Sequence, residues 1–363
     1  MSSDPIPDPM RPGPDTPVVS FADIHKSFAG VPVLRGIRFE VGAARIVGLV
    51  GENGAGKSTL MNVLGGHLRP DAGQLRLQGQ PYEPAGPEDA RAAGIAFVHQ
   101  ELNLFPNLSI AENLFLTELP RVAPVLPWID GPRLRQRAAE LLAEVGLSHS
   151  PATAVAQLSA GERQLVEIAK ALASDPKVLI LDEPTTSLSP PECERLFALM
   201  ARLRGRGVAI LYISHALGDV LRLCDDVVVL RDGERVGGGP AAAFTQDSLV
   251  ALMVGRALGQ LYPERHRTVP SAAHPANPRL EVDGVSRRGV VDDISFRLAE
   301  GEILGLFGLM GAGRSELARI LFGLDPQTSG SVRLDQQPLM GGPRRRIRRG
   351  LAFLTEDRRH EGL

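Results

Sequence analysis

Gly51-Glu52-Asn53-Gly54-Ala55-Gly56-Lys57-Ser58-Thr59 is a complete GxxxxGK[ST] loop. It follows an apolar, β-rich run at 46–50 and opens a helix-forming stretch. Glycines let backbone N–H groups close around phosphate oxygens, and the helix start adds positive potential. Strand, loop and helix in that order begin an α/β domain that grips a phosphorylated ligand. The frame returns 257 residues later as Gly308-Leu309-Met310-Gly311-Ala312-Gly313-Arg314-Ser315-Glu316, after a second β-rich apolar run at 303–307. Here arginine stands where the lysine belongs.

The repeat extends beyond the loops. Gly94-Ile95-Ala96-Phe97-Val98-His99-Gln100-Glu101 is echoed 256 residues on by Gly350-Leu351-Ala352-Phe353-Leu354-Thr355-Glu356-Asp357. Two points on one register predict a domain duplication with one intact and one altered nucleotide loop. The first copy runs well past Gln100, whereas only seven residues follow Glu356, so the second copy is expected to be incomplete.

A chain of 363 residues can bury two cores. Its hydrophobic content of 43% and charged content of 23% are those of a globular protein. A net charge of -2 gives no electrostatic reason to expect nucleic acid. The run Arg344, Arg345, Arg346, Arg348 and Arg349 reads as a solvated helix face. Cys193 and Cys224 stand alone, which fits a reducing compartment and excludes a disulfide scaffold. No apolar run is long enough to span a bilayer, so any membrane association is expected through a partner.

Residues 1–17, rich in proline, read as a disordered leader. From 18 to 255 strands alternate with helices, predicting strands at 46–50, 95–98, 178–181, 208–213 and 227–230. Helices are predicted at 58–64, 133–145, 162–173 and 191–204. Residues 256–278 form the expected linker, richest in Pro, Ala and His over 263–278, and 279–363 the second domain.

Val178-Leu179-Ile180-Leu181-Asp182-Glu183-Pro184 is a hydrophobic strand ending in two carboxylates. Next to a phosphate loop, Asp182 suits Mg²⁺, which prefers carboxylate, water and phosphate oxygens, and Glu183 suits a general base. Upstream, Leu158-Ser159-Ala160-Gly161-Glu162 precedes an amphipathic helix. By itself Ser159-x-x-Glu162 is a capping box, although Ser and Gly at a helix start also offer a phosphate-binding surface.

Phosphate loop, LSxG and then an acidic strand end about 20 residues on is the order found in ATP-binding cassette (ABC) ATPases, and LSAGE resembles their signature motif. Glu162 departs from the glutamine usual after LSxG. Gln100 resembles the Q-loop residue, Ser187-Leu188-Ser189 the D-loop with serine for the usual aspartate, and His215 the switch histidine. The stretches 99–113 and 166–172, with Tyr212-Ile213-Ser214-His215, are similar to two-cassette ATPases of bacterial monosaccharide import. So is the segment Glu356-Asp357-Arg358-Arg359 with Glu361-Gly362-Leu363. The likeness covers 18–363.

That resemblance implies a duplicated P-loop NTPase (ABC ATPase) core with antiparallel β and α-helical subdomains, using ATP and Mg²⁺. It implies that Gly51 to Thr59 cradle the phosphates, that Ser58, Gln100 and Asp182 hold the metal, and that Glu183, Gln100 and His215 are catalytic. Phe28 would stack on adenine. Cassettes pair head to tail, so Ser159 and Gly161 would face Gly308, Gly313, Arg314 and Ser315 of the altered loop, which binds phosphate without efficient turnover. The implied function is ATP-driven monosaccharide uptake through membrane permease subunits and a periplasmic sugar-binding protein, at the cytoplasmic face of the inner membrane. Rival readings are a nucleoside-type importer ATPase, a two-cassette ATPase acting on ribosomes or nucleic acid, and a P-loop kinase. The short Pro-rich linker and altered loop weigh against the ribosomal reading, and LSAGE with His215 against the kinase.

Overall fold

The computed structural model describes residues 17–100, 102–117, 119–120, 128–255, 278–308 and 311–355. The expected leader up to residue 16, most of the expected linker, Glu101, Leu309, Met310 and the segment 356–363 lie outside the described residues. The chain divides into two compact units, Met1–Glu264 and Arg265–Leu363.

The first unit opens with β1 (Val19–Phe28), β2 (Val31–Val41), β3 (Ile46–Val50), α1 (Lys57–Leu64), β4 (Ala72–Leu77), β5 (Gln80–Pro81), α2 (Pro87–Ala92) and β6 (Ile95–Val98). It continues through α3 (Ile110–Leu114), α4 (Gly131–Glu144), α5 (Ala160–Leu172), β7 (Val178–Asp182), α6 (Pro190–Gly205) and β8 (Ala209–Ile213). It ends with α7 (Leu217–Leu223), β9 (Asp226–Arg231), β10 (Glu234–Pro240) and α8 (Gln246–Val254).

Two sheets result. One is antiparallel, in the order β2-β1-β4-β5. The other runs β10-β9-β3-β8-β7-β6 and is parallel apart from β10 at its edge. A parallel sheet is buried on both faces, which is why its strands read as continuous apolar runs. Ile46 and Val50 of β3 enter one core with Leu179 and Leu181, while Val47 and Leu49 enter another with Val178 and Ile180. The first core also takes in α3, α4 and α5, which pack on one another.

The second unit holds β11 (Leu280–Arg287), β12 (Val291–Leu298), α9 (Arg314–Phe322), β13 (Ser329–Leu334), β14 (Gln337–Pro338) and α10 (Pro343–Arg348). Its sheet order, β12-β11-β13-β14, is that of the first antiparallel sheet. Detail repeats as well. Tyr82 N–H donates to the Leu75 carbonyl at 2.9 Å, and 257 residues on Leu339 N–H donates to Val332 at 2.8 Å.

Here one expectation fails. Residues 303–307 form no strand; Ile303 is 91% exposed and Phe307 fully so. The corresponding β3 lies between β8 and β9, and no described strand of the second unit takes those places. The arginine run also differs from a simple solvated face. Arg346 is buried and donates to the Ile320, Leu321 and Gly341 carbonyls, capping the end of α9 and holding its turn.

Candidate functional site

The chain turns sharply after β3. A Cβ at Gly51 would lie 2.3 Å from the Leu230 carbonyl oxygen of β9, and Gly56 has φ +97°, so both positions require glycine. Ala55 and Gly56 are buried, whereas Glu52, Asn53, Gly54 and Ser58 are exposed and Thr59 is half-buried. Lys57 begins α1 and is 7% exposed. Its ammonium donates to the Gly51 and Glu52 carbonyls at 2.8 and 2.9 Å. Burial lowers its pKa, and the charges of Glu183 and Asp182 oppose that shift.

Asp182 closes β7 and is buried. Burial and the adjacent Glu183 raise its pKa, against Lys57, a hydrogen bond from Ser58, and His215. Glu183 follows with φ +49°, a left-handed conformation strained for a residue with a side chain. Its N–H donates to the Ile213 carbonyl of β8 at 2.9 Å, which fixes the turn. One carboxylate oxygen lies 2.7 Å from His215 Nε2, and the other accepts from Gln100 Nε2 at 3.1 Å.

Gln100 follows β6, Glu183 follows β7 and His215 stands just after β8. These strands are neighbours, β3 lies beside β8, and all four point their carboxyl ends the same way. Ligands of open α/β sheets bind at that edge. Six predicted residues therefore meet in one place: Lys57, Ser58, Gln100, Asp182, Glu183 and His215. Their donor set suits Mg²⁺ shared with a nucleotide, since it offers a hydroxyl, an amide and a carboxylate oxygen. Among the described residues no group of three or more His, Cys, Asp and Glu side chains forms a metal site without such sharing.

Other predicted residues have surroundings of their own. Phe28 ends β1 and is 44% exposed, with the Lys26 ammonium 5.7 Å from its ring centre. Ser159 caps α5, where its Oγ accepts from Glu162 N–H and its own N–H donates to the Glu162 carboxylate. Gly161 sits against Glu192 of α6, whose carboxylate would lie 2.5 Å from a Cβ there. Ser189 caps α6 through that same Glu192. In the second unit Gly313 has φ +84°, Arg314 starts α9 and is exposed, as are Ser315 and Ala312, and Gly308 is half-buried. The arginine thus faces solvent where Lys57 folds back on its loop.

Sequence reasoning missed one contact at the LSAGE helix: His149 Nε2 lies 2.7 Å from a Glu162 carboxylate oxygen. Thirteen residues separate the two, and no local pattern marks the pair. It also missed a cavity of about 280 Å³ lined by His67, Phe97, His99, Glu167 and Lys170 among others. His99 stacks on Phe97 there, and burial followed by the His67 charge lowers its pKa. Glu167 is buried, pairs loosely with Lys170 at 3.6 Å, and leaves one oxygen without a hydrogen bond.

A family model described as ABC transporter matches residues 34–186 and 291–362. The chain is 45% identical over 350 residues to a putative ribose/galactose/methyl galactoside import ATP-binding protein of Burkholderia cenocepacia, covering 96% of this chain and 66% of that protein. It is 44% identical over 348 residues to a ribose import ATP-binding protein of Streptomyces coelicolor, covering 96% of this chain and 67% of that one. The chain thus spans about two-thirds of the length of these relatives. A solved ATP-binding cassette of an ABC transporter superposes with a TM-score of 0.59 at 27% identity, covering 66% of this chain and 98% of the other. With the P-loop, the paired carboxylates and the LSAGE helix in place on this α/β sheet, the chain belongs to the ABC transporter family and carries its ATP-binding cassette fold.

Proposed function

We propose that this chain binds and hydrolyses ATP to power uptake of a monosaccharide through a membrane permease. The observation that carries the chemistry is the convergence of Gln100 and His215 on the Glu183 carboxylate beside Lys57 and Asp182. The sugar class rests on the names of the relatives, which are import ATP-binding proteins for ribose and galactose.

Lys57 exchanges its two loop carbonyls for β- and γ-phosphate oxygens, and the exposed Phe28 ring supports the base. Ser58, Asp182 and Gln100 would hold Mg²⁺, which would supply charge neutralisation at the phosphates. Glu183 takes a proton from the attacking water onto its carboxylate, and His215 turns from Glu183 to the γ-phosphate. The N–H groups of Ala160 and Gly161, which begin α5 and have no preceding turn to bond, receive the terminal phosphate of a nucleotide held by another cassette. Closure over ATP and reopening after hydrolysis then shift a permease between its two states.

We place the Arg314 loop in a second cassette that binds phosphate through backbone and guanidinium without efficient turnover. The partners are permease subunits at the cytoplasmic face of the membrane and, through them, a periplasmic sugar-binding protein. Among the described residues no helix is long and apolar enough to cross a membrane, so the proposed association is peripheral. The test is fractionation with and without the co-expressed permease. Sedimentation with membranes only in its presence supports the importer reading, and a protein that stays in the supernatant in both cases overturns it.

A further inference from the structure

The Phe28 ring stands at the tip of the first hairpin, and that hairpin is seated on the phosphate loop. A Cβ at Gly56 would lie 2.7 Å from Leu34 Cδ2 and 3.0 Å from the Val33 carbonyl oxygen. Phe28 pairs with Val31, just before those two residues. The tip is held from the other side as well. β4 accompanies β1 only as far as the His25–Ala72 pair, and Asp71, the residue before β4, continues the contact. Its N–H donates to the His25 carbonyl at 2.8 Å. Its carboxylate accepts from Lys26 Nζ at 2.7 Å and from the Ser27 N–H at 2.6 Å, and these bonds hold the carboxyl below the ordinary carboxylate range. Lys26, with a side chain 16% exposed, carries its ammonium over the Phe28 ring.

We propose that Asp71 is a positioning residue for the base of the nucleotide. It fixes the end of β1 and, through Lys26, one face of the Phe28 ring, which leaves the other face set for stacking before a nucleotide arrives. The inference rests on the proposed role of Phe28 in supporting the base. An exposed ring at a hairpin tip loses rotamer freedom when it stacks, and a cation held over its face reduces that loss.

The second unit supplies a comparison within the same chain. There Thr328 holds the place of Asp71, and its N–H donates to the Ser286 carbonyl at 2.8 Å as Asp71 N–H does to His25. The Thr328 hydroxyl turns to that same carbonyl at 2.9 Å instead of reaching forward along β11. The hairpin is also shorter. Residues 26–33 join His25 to Leu34, whereas Arg287-Arg288-Gly289-Val290 join their counterparts Ser286 and Val291, with no aromatic among them. Its seating on the loop is nevertheless the same. A Cβ at Gly313 would lie 2.7 Å from Val291 Cγ1 and 3.0 Å from the Val290 carbonyl oxygen. The backbone bond and the seating therefore persist where the aromatic is missing, and the carboxylate does not. That pattern ties Asp71 to the ring rather than to the folding of the hairpin.

The test is binding of ATP and of inorganic tripolyphosphate to the full chain, read by displacement of a fluorescent ATP analogue. Phe28→Ala should weaken ATP about 10- to 100-fold and leave tripolyphosphate, which has no base, unchanged. Asp71→Asn and Lys26→Met should each weaken ATP about 3- to 10-fold, again with tripolyphosphate unchanged. Neither should add to the loss in a Phe28→Ala background. Equal losses for both ligands would mark a disturbed hairpin and overturn the inference. So would an Asp71→Asn chain that binds ATP as the parent does, or a loss that persists without the ring. The comparison with and without Phe28 uses ATP affinities alone, so it decides even where tripolyphosphate binds too weakly to measure. If Phe28→Ala leaves ATP binding unchanged, the stacking reading fails and the inference fails with it. If Phe28→Ala weakens ATP and Asp71→Asn does not, the inference fails alone.

Discussion

The carboxylate of Glu183 and the imidazole of His215 meet at 2.7 Å although they close different strands. The link is the backbone: Glu183 N–H donates to Ile213, two residues before His215. The left-handed Glu183 backbone aims its side chain across to β8 and out to Gln100 on the far side.

If Glu183 is the base, Glu183→Gln keeps shape and loses the proton acceptor. Turnover should fall about 10²- to 10⁴-fold, while nucleotide affinity stays within about threefold. Steady-state phosphate release and calorimetric binding check both halves, and comparable turnover in the variant would remove Glu183 from the base role.

Lys57→Ala should weaken nucleotide binding about 10- to 100-fold, the usual loss for hydrogen bonds to a charged group. Lys57 is 7% exposed, and the proposed reading puts its ammonium on the phosphates. Binding of a fluorescent ATP analogue measures the loss.

Gly51→Ala drives a methyl to within 2.3 Å of a β9 carbonyl that is held in the sheet. We expect a loss of about 1–3 kcal/mol, seen as a lower unfolding midpoint, together with poorer nucleotide binding.

Glu167 carries a buried carboxyl whose pKa is raised by burial, against Lys170. The folded state therefore holds its proton more tightly than the unfolded chain, and the destabilising charge is fully present above the raised pKa. Glu167→Gln should raise the melting temperature near neutral pH, with the gain shrinking as pH falls through that pKa toward the ordinary carboxylate value of about 4.3. Lys170 keeps the Asn103 carbonyl at 3.0 Å, so the variant strands no cation. Melting curves from about pH 8 to pH 4 test the slope.

Because the proposed pairing has Ser159 and Gly161 serve a nucleotide held by another cassette, a lone cassette lacks half of its proposed site. ATPase activity per molecule should rise with protein concentration. Robust, concentration-independent turnover by a monomer would contradict the pairing.

Much of this was legible because parallel strands write themselves as short apolar runs. The runs at 46–50 and 95–98 became strands with the predicted bounds, and the residues following β6, β7 and β8 were the ones that met. Residues 303–307 show the limit of such reading. Their composition matches β3, yet a strand exists through its neighbours' hydrogen bonds, and none of the described residues supplies them. The antiparallel strands β1, β2 and β4 mix exposed and buried positions and shift register, which blurs their period. His149–Glu162 and Gly161–Glu192 were beyond sequence for another reason: each depends on how separate elements pack.

The two carbonyl bonds of the Lys57 ammonium tie the loop to its own lysine and hold it in one shape. Nucleotide arrival is then a ligand exchange at a preformed cradle rather than an ordering of chain. The encounter itself, not loop folding, should set the association rate, and selectivity among phosphate esters should show mainly in how long each one stays.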